Sequence, residues 1–378
     1  MEAYLLEWLN LLLRWAHVIV GIAWIGASFY FIWLDNHLEP SGNPRLAGEL
    51  WAIHGGGFYR AEKYRAGPAE LPKTLHWFKW EAYWTWITGF ALLVALYYAN
   101  AELYLIDPAV MPLGKPAAIA IGIGSLIVGL AVYEGLCRSP VGRNDAALTA
   151  IFFILLVLAA YGLTRIFSGR GAVMHYGAIL GTIMVANVAH VIIPGQRRMV
   201  RAITEGREPD PRDGFMGKQR SVHNTYFTLP VVVTMIGSHY PMVWHWGALV
   251  ALTVAGALIR VGFVMRHKGR VPAWVWVAGL VFIGVAAALV APRRETAANA
   301  DFSQVKQIMD ARCVACHADK PRFQGIDEAP KGVKLDTDER IRAQGAKIRE
   351  TVRTRAMPPG NLTQLTDEER ALIERWNP

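Results

Sequence analysis

The sequence predicts an all-α protein: an eight-helix transmembrane bundle followed by a small polar helical domain. Three observations predict it. The 378 residues are 53% hydrophobic and only 18% charged, whereas soluble chains carry about a quarter charged residues. Eight apolar stretches are each long enough to cross a bilayer core of roughly 30 Å. From Asp301 onward the composition turns polar, and 14 Lys and Arg nearly balance 13 Asp and Glu.

The stretches are 6–33, 78–98, 116–136, 146–167, 172–193, 222–238, 243–264 and 272–291. All read as helices, because an open strand leaves its backbone groups unpaired in lipid. His223, Asn224 and Pro230 interrupt the sixth. The 14 tryptophans suit interfacial belts. The first, third, fifth and seventh connections hold 18 Lys and Arg, from Arg45 to Arg270, and the other three hold only Lys115, Arg165 and Arg170. By the positive-inside rule the odd loops are cytoplasmic. Both termini are then periplasmic in a multi-pass bacterial inner-membrane protein. The net charge of +9 is thus topological, and no nucleic-acid partner is expected. The start, MEAYLLEW, has no basic n-region, so the first helix is expected to be retained. The expected domains are 1–291 in the membrane, a linker at 292–300 and a soluble domain at 301–378.

The soluble domain contains Cys313-Val-Ala-Cys316-His317, a C-x-x-C-H haem-attachment pattern. Two thiols add to the haem vinyl groups and the adjacent His317 ligates iron. Met357, in Arg-Ala-Met-Pro-Pro-Gly, is the candidate for the second axial position; a His/Met pair raises the haem potential. Zinc would need further Cys or His, and 301–378 contain none. Thr366 and Glu369 form a capping-box pattern opening a last helix. This stretch resembles small bacterial class I cytochromes c, which implies covalent haem c outside the cytoplasm; the charge bias gives the same orientation by a separate route. Cys137 has no partner, so no disulfide framework is expected.

Ionisable residues inside spans are costly and are functional candidates. His17 lies in the first span. His175 and His190 stand near the two ends of the fifth, and His223 and His239 near those of the sixth. Fifteen or sixteen helical residues separate such a pair by roughly 22–24 Å. Two antiparallel helices so marked match the layout of di-haem b-type cytochromes, giving one or two haem b as a possible further cofactor. Sixteen residues do not return to one face, so His239 needs the Pro230 and Gly237 irregularity, or His17 serves instead. The alternative is that these histidines are interfacial or hydrogen-bonded packing residues. Arg14 and Arg260 are candidates to pair with haem propionates or an anionic substrate.

The first cytoplasmic loop contains His54-Gly-Gly-Gly-Phe-Tyr59, then His76-Trp-Phe-Lys79-Trp-Glu81. Its glycines can expose N–H groups to an anion, and Glu81 beside Lys79 offers acid/base chemistry. Residue types alone favour an interfacial segment anchored by Trp and Lys.

Four strings carry a family resemblance: Arg14-Trp-Ala-His17 running to Gly26; His54-Gly-Gly-Gly-Phe-Tyr-Arg; Leu75-His-Trp-Phe-Lys-Trp-Glu-Ala-Tyr; and Ser221-Val-His-Asn-Thr-Tyr-Phe-Thr-Leu-Pro with Ser238-His-Tyr-Pro. With the terminal C-x-x-C-H, the chain resembles the bacterial membrane-bound, cytochrome-c-linked urate oxidase (urate hydroxylase) family. The resemblance implies oxidation of urate to 5-hydroxyisourate in purine catabolism. Electrons would pass to the fused cytochrome, then to a downstream cytochrome c or terminal oxidase. A cytoplasmic site would use His54 and Glu81 as acid/base groups, Lys79 or Arg260 for the anion and Tyr59 for stacking, with membrane haems to carry electrons across. A periplasmic site near Arg14 and His17 would need fewer relays. Two alternatives stand beside this: a quinol-oxidising electron-transfer subunit, and a transporter or sensor with a redox-responsive domain.

Overall fold

The computed structural model describes residues 2–270, 272–291 and 300–377. Most of the expected linker, 292–299, lies outside the described residues. The chain is mostly helical. Its membrane-type part runs α1 (Glu2–Asn36), β1 (Leu46–His54), β2 (Gly57–Tyr64), α2 (Trp80–Leu92), α3 (Ala101–Tyr104), α4 (Lys115–Arg138), α5 (Asp145–Thr164), α6 (Gly169–Ala186), α7 (Ile193–Thr204), α8 (Pro211–Gly237), α9 (Trp246–His267) and α10 (Ala273–Leu289). A π-helical segment, Leu93–Tyr98, continues α2, and another, Asn187–Ile192, joins α6 to α7.

A helix overlaps each of the eight predicted stretches, but they differ in length and polarity. Five are long and apolar enough to cross a membrane: Glu7–Asn36, Lys115–Arg138, Asp145–Thr164, Gly169–Thr204 and Trp246–His267. Physical reasons separate the others from these five. α2 gives way to its π segment after 13 residues. α8 carries Arg212, Asp213, Lys218 and Arg220 in its first half. α10 is apolar but has only 17 residues.

Local chemistry fixes several ends. The Asn144 side chain accepts from the Ala146 and Ala147 N–H groups at the start of α5. Ser168 caps α6 through Gly171 N–H. Asp210 precedes Pro211 at the head of α8, where proline's missing N–H costs nothing. Pro194 is accommodated because the π segment ends directly before it and α7 begins there; a π-bulge is a common way to absorb such an interruption. The helix Gly169–Thr204 is central, with 61% of its most apolar window buried against 6% for α1.

The all-α expectation needs one correction. Leu46–Tyr64 is an antiparallel hairpin, with His54 paired to Gly57. Gly55 and Gly56 form its two-residue turn at φ of +57° and +81°, the conformation a tight hairpin requires and glycine adopts without strain.

The C-terminal part holds α11 (Phe302–Arg312), α12 (Asp338–Ala343), α13 (Gly345–Arg353) and α14 (Asp367–Arg375) around a core that includes Val305, Met309, Ile341, Ile373 and Trp376. Thr366 and Glu369 form the expected capping box. Buried Arg370 donates to the Val352 and Met357 carbonyls, each at 2.9 Å, and to Asn361 Oδ1 at 3.1 Å. This part rests on one end of the helices through Gly360, packed on α3. Arg353 also donates to the Val290 carbonyl at 3.3 Å.

Candidate functional site

α1, α2, α6 and α8 enclose a cavity of about 600 Å³, within the range of small-molecule sites. Its polar lining includes Arg14, His17, Tyr97, Arg170 and His239, and no carboxylate among the described residues lines it. Two guanidiniums without a counter-charge make the site attractive to an anion.

Four of these polar groups, Arg14, His17, Tyr97 and Arg170, are held by their neighbours. Arg14 Nε donates to Asn10 Oδ1 at 2.7 Å, one turn earlier on α1. Arg170 Nε donates to the Tyr97 hydroxyl at 3.2 Å, and its guanidinium lies 4.5 Å from the Tyr104 ring centre. The Thr88 hydroxyl donates to the Trp84 carbonyl at 2.6 Å. Its oxygen therefore accepts from His17 Nδ1, 3.0 Å away. That assigns the proton to Nδ1 and leaves the Nε2 lone pair free as an acceptor. Gly89 makes room for this ring, since an added Cβ would lie 2.8 Å from His17 Cε1. Trp86 and Phe90, stacked at 5.2 Å, form a flat apolar part of the wall.

The other membrane histidines do not reach the cavity. His175 is fully buried; its Nδ1 donates to the Gly171 carbonyl at 2.9 Å and its Nε2 accepts from Tyr98 at 3.1 Å. Both ring nitrogens are occupied, and Phe167 stacks on the ring. His223 Nδ1 lies 2.7 Å from the Tyr133 hydroxyl, which also accepts from Asn187. Arg220 pairs with Glu134 at 3.0 Å beside this network. His190 is exposed on the π segment. Arg260 is fully buried, has no hydrogen-bond partner among the described residues and lies over the Phe29 ring at 3.5 Å.

The first-loop candidates are also elsewhere. His54 and Tyr59 are exposed on the hairpin. Lys79 precedes α2, with its ammonium over the Trp77 and Trp80 rings, and Glu81 sits in the first turn of α2. None of the four lines the cavity. The structure thus brings together Arg14, His17 and His239 and adds Tyr97 and Arg170. Only Arg170 gave a sequence signal for inclusion, as one of three basic residues in the outer loops.

In the C-terminal part Cys313 and Cys316 are free thiols on one backbone turn, with His317 N–H donating to the Cys313 carbonyl at 3.0 Å. His317 Nδ1 donates to the Val333 carbonyl at 2.9 Å, which fixes the tautomer and leaves Nε2 available to a metal. Burial, with the neighbouring Cys316, pushes the Cys313 thiol up to about 12. No group of three or more His, Cys, Asp or Glu that could hold a metal ion occurs among the described residues. The Met357 backbone is fixed at both ends: its N–H donates to the Thr351 carbonyl at 3.1 Å and its carbonyl accepts from Arg370. Two thiols, an oriented imidazole and a methionine with an anchored backbone are the residue types that would hold a covalently attached haem.

No curated protein matches this chain, and no solved structure does. A family model described as Urate oxidase N-terminal matches residues 3–291 and so takes in every helix that encloses the cavity; the chain belongs to that family.

Proposed function

We propose that this protein is a membrane-bound, cytochrome-c-linked urate oxidase that converts urate to 5-hydroxyisourate and delivers the electrons to a haem held by Cys313, Cys316, His317 and Met357. The observation that carries this is the cavity: two guanidiniums, no lining carboxylate, and a position at the end where the C-terminal part rests. Family membership supports urate as the substrate class. The charge bias of the loops supports an outer, periplasmic position for that end.

Urate is a planar monoanion at neutral pH. Arg14 and Arg170 would bind its negative edge and the flat wall of Trp86 and Phe90 its ring face. His17 Nε2 is free to take the remaining acidic proton. Two electrons then leave the dianion and water adds at the electrophilic ring carbon. The balance is urate anion plus water giving 5-hydroxyisourate, one proton and two electrons. When bound, haem c supplies a one-electron acceptor, so the two electrons leave singly and a downstream cytochrome c or oxidase reoxidises the protein between them. With the cavity and the C-terminal part at one end, no electron crosses the bilayer core. This mechanism uses one haem c and no haem b, although His17 and His239 are the pair a membrane haem would find in the cavity.

Anaerobic mixing of oxidised holoprotein with urate, followed in the visible spectrum, tests this. Reduction of the c-type band is expected. No reduction by urate, with full reduction by a quinol, would transfer the site to the quinol-oxidising alternative, which its apolar walls would also suit.

A further inference from the structure

The loop that carries Met357 is also the one on which the C-terminal part rests. A Cβ added at Gly360 would lie 2.3 Å from the Glu102 carbonyl oxygen and 3.2 Å from those of Leu103 and Ile106. Only glycine fits so close a backbone approach, and its φ of +55° also favours glycine. Arg370 ties the ends of the loop together through the Met357 carbonyl and Asn361 Oδ1. Gly360 and the Met357 backbone thus belong to one loop whose ends Arg370 holds together.

The other side of the contact leads to the cavity. Tyr104 closes α3, and the Arg170 guanidinium lies over its ring at 4.5 Å. Arg170 also bonds Tyr97, and both line the cavity. A packed path thus runs from the cavity through Arg170, Tyr104 and α3 to Gly360 and the Met357 loop. The basic C-terminal residue Lys331 is near enough to His239 for its charge to act there.

We infer that the seat of Gly360 on α3 is the electron-transfer junction between the cavity and the haem, with Gly360 as the positioning residue that sets its spacing. This rests on the function proposed above. Each passage moves one electron from the oxidising substrate to the haem iron and makes or breaks no bond.

The test compares wild-type holoprotein with Gly360→Ala. Three readouts are needed: the stopped-flow rate of haem reduction by urate, steady turnover with a small soluble dye that takes electrons directly at the cavity, and hydrogen exchange of the 101–107 backbone. Gly360→Ala should slow urate-driven haem reduction about tenfold or more, the scale on which small misplacements act. It should leave dye turnover and reduction by ascorbate unchanged and raise exchange at 101–107. Should that variant fail to take up haem, Arg353→Ala, which removes the bond to the Val290 carbonyl, carries the same comparison with a smaller slowing. Unchanged urate-driven reduction, or dye turnover falling in parallel with it, overturns the junction. Absence of urate-driven reduction in the wild type overturns the proposed function instead, so the two failures are distinguishable.

Discussion

His17 shows how a single hydroxyl sets the chemistry of a site. Because Thr88 gives its proton to the Trp84 carbonyl, His17 donates to Thr88 through Nδ1, which leaves Nε2 as the acceptor of a ring that lines the cavity. His17→Ala should lower kcat about a hundredfold, the usual worth of a positioned base, with urate affinity little changed in equilibrium binding. Arg170→Ala should weaken that binding, and Arg170→Lys should restore it only partly, because a point charge does not replace a planar fork. Met357→Ala should lower the haem potential in a redox titration; an unchanged potential removes Met357 as a ligand. Arg14 and His17 were legible in the sequence because an ionisable group in an apolar run is conspicuous. His175 was equally conspicuous, yet its nitrogens are consumed by Gly171 and Tyr98. The sequence signal is the same for a packed histidine and a working one; only the partners differ. Tyr97 gave no signal, since an aromatic residue in a span is ordinary.

The helices were legible because twenty apolar residues have few alternatives in lipid. The hairpin was not. Its Gly-Gly turn was read as a set of anion-facing N–H groups, whereas two glycines between paired strands are a turn signal. Its strands also alternate poorly, with Trp51, Ile53 and Phe58 all exposed, which left no buried face to recognise. Glu49 reaches across it to Arg60 at 2.6 Å. That guanidinium, with Ser41, holds the Glu49 carboxyl below its ordinary value of 4.5. A depressed carboxyl contributes stability above its unfolded value and loses it as the pH falls through the folded one. The protection of Leu46–Tyr64 amides, as exchange relative to the unstructured rate at each pH, should therefore fall below about pH 4.5, and added salt should weaken the pair at neutral pH. In the membrane part, α6 and α8 meet where Gly177 faces Thr234, and an added Cβ would lie 2.1 Å from its hydroxyl oxygen. Gly177→Ala should destabilise the protein by about 1–3 kcal/mol through overpacking, read as earlier thermal unfolding in detergent.

At the scale of the whole molecule, composition alone divides the chain, apolar before about 291 and polar after 301. It could not give the side-by-side placement of the cavity and the C-terminal part. That placement depends on close contacts such as Gly360 on α3, which leave no periodic trace in a sequence. The mechanism proposed here predicts one covalent haem per chain and no extractable haem, checked by pyridine haemochrome analysis before and after acid-acetone extraction. The shared end also has an energetic consequence. An elementary charge carried fully across an energised membrane exchanges about 2.3 kcal/mol with each 100 mV of potential. On the proposed mechanism, electrons passing from the cavity to the docked C-terminal part would travel along one end of the helices rather than through the membrane, and would exchange almost none of it. Turnover in sealed vesicles should then be the same with the potential intact or collapsed by an ionophore, and the protein would conserve energy only through the oxidase that accepts its electrons.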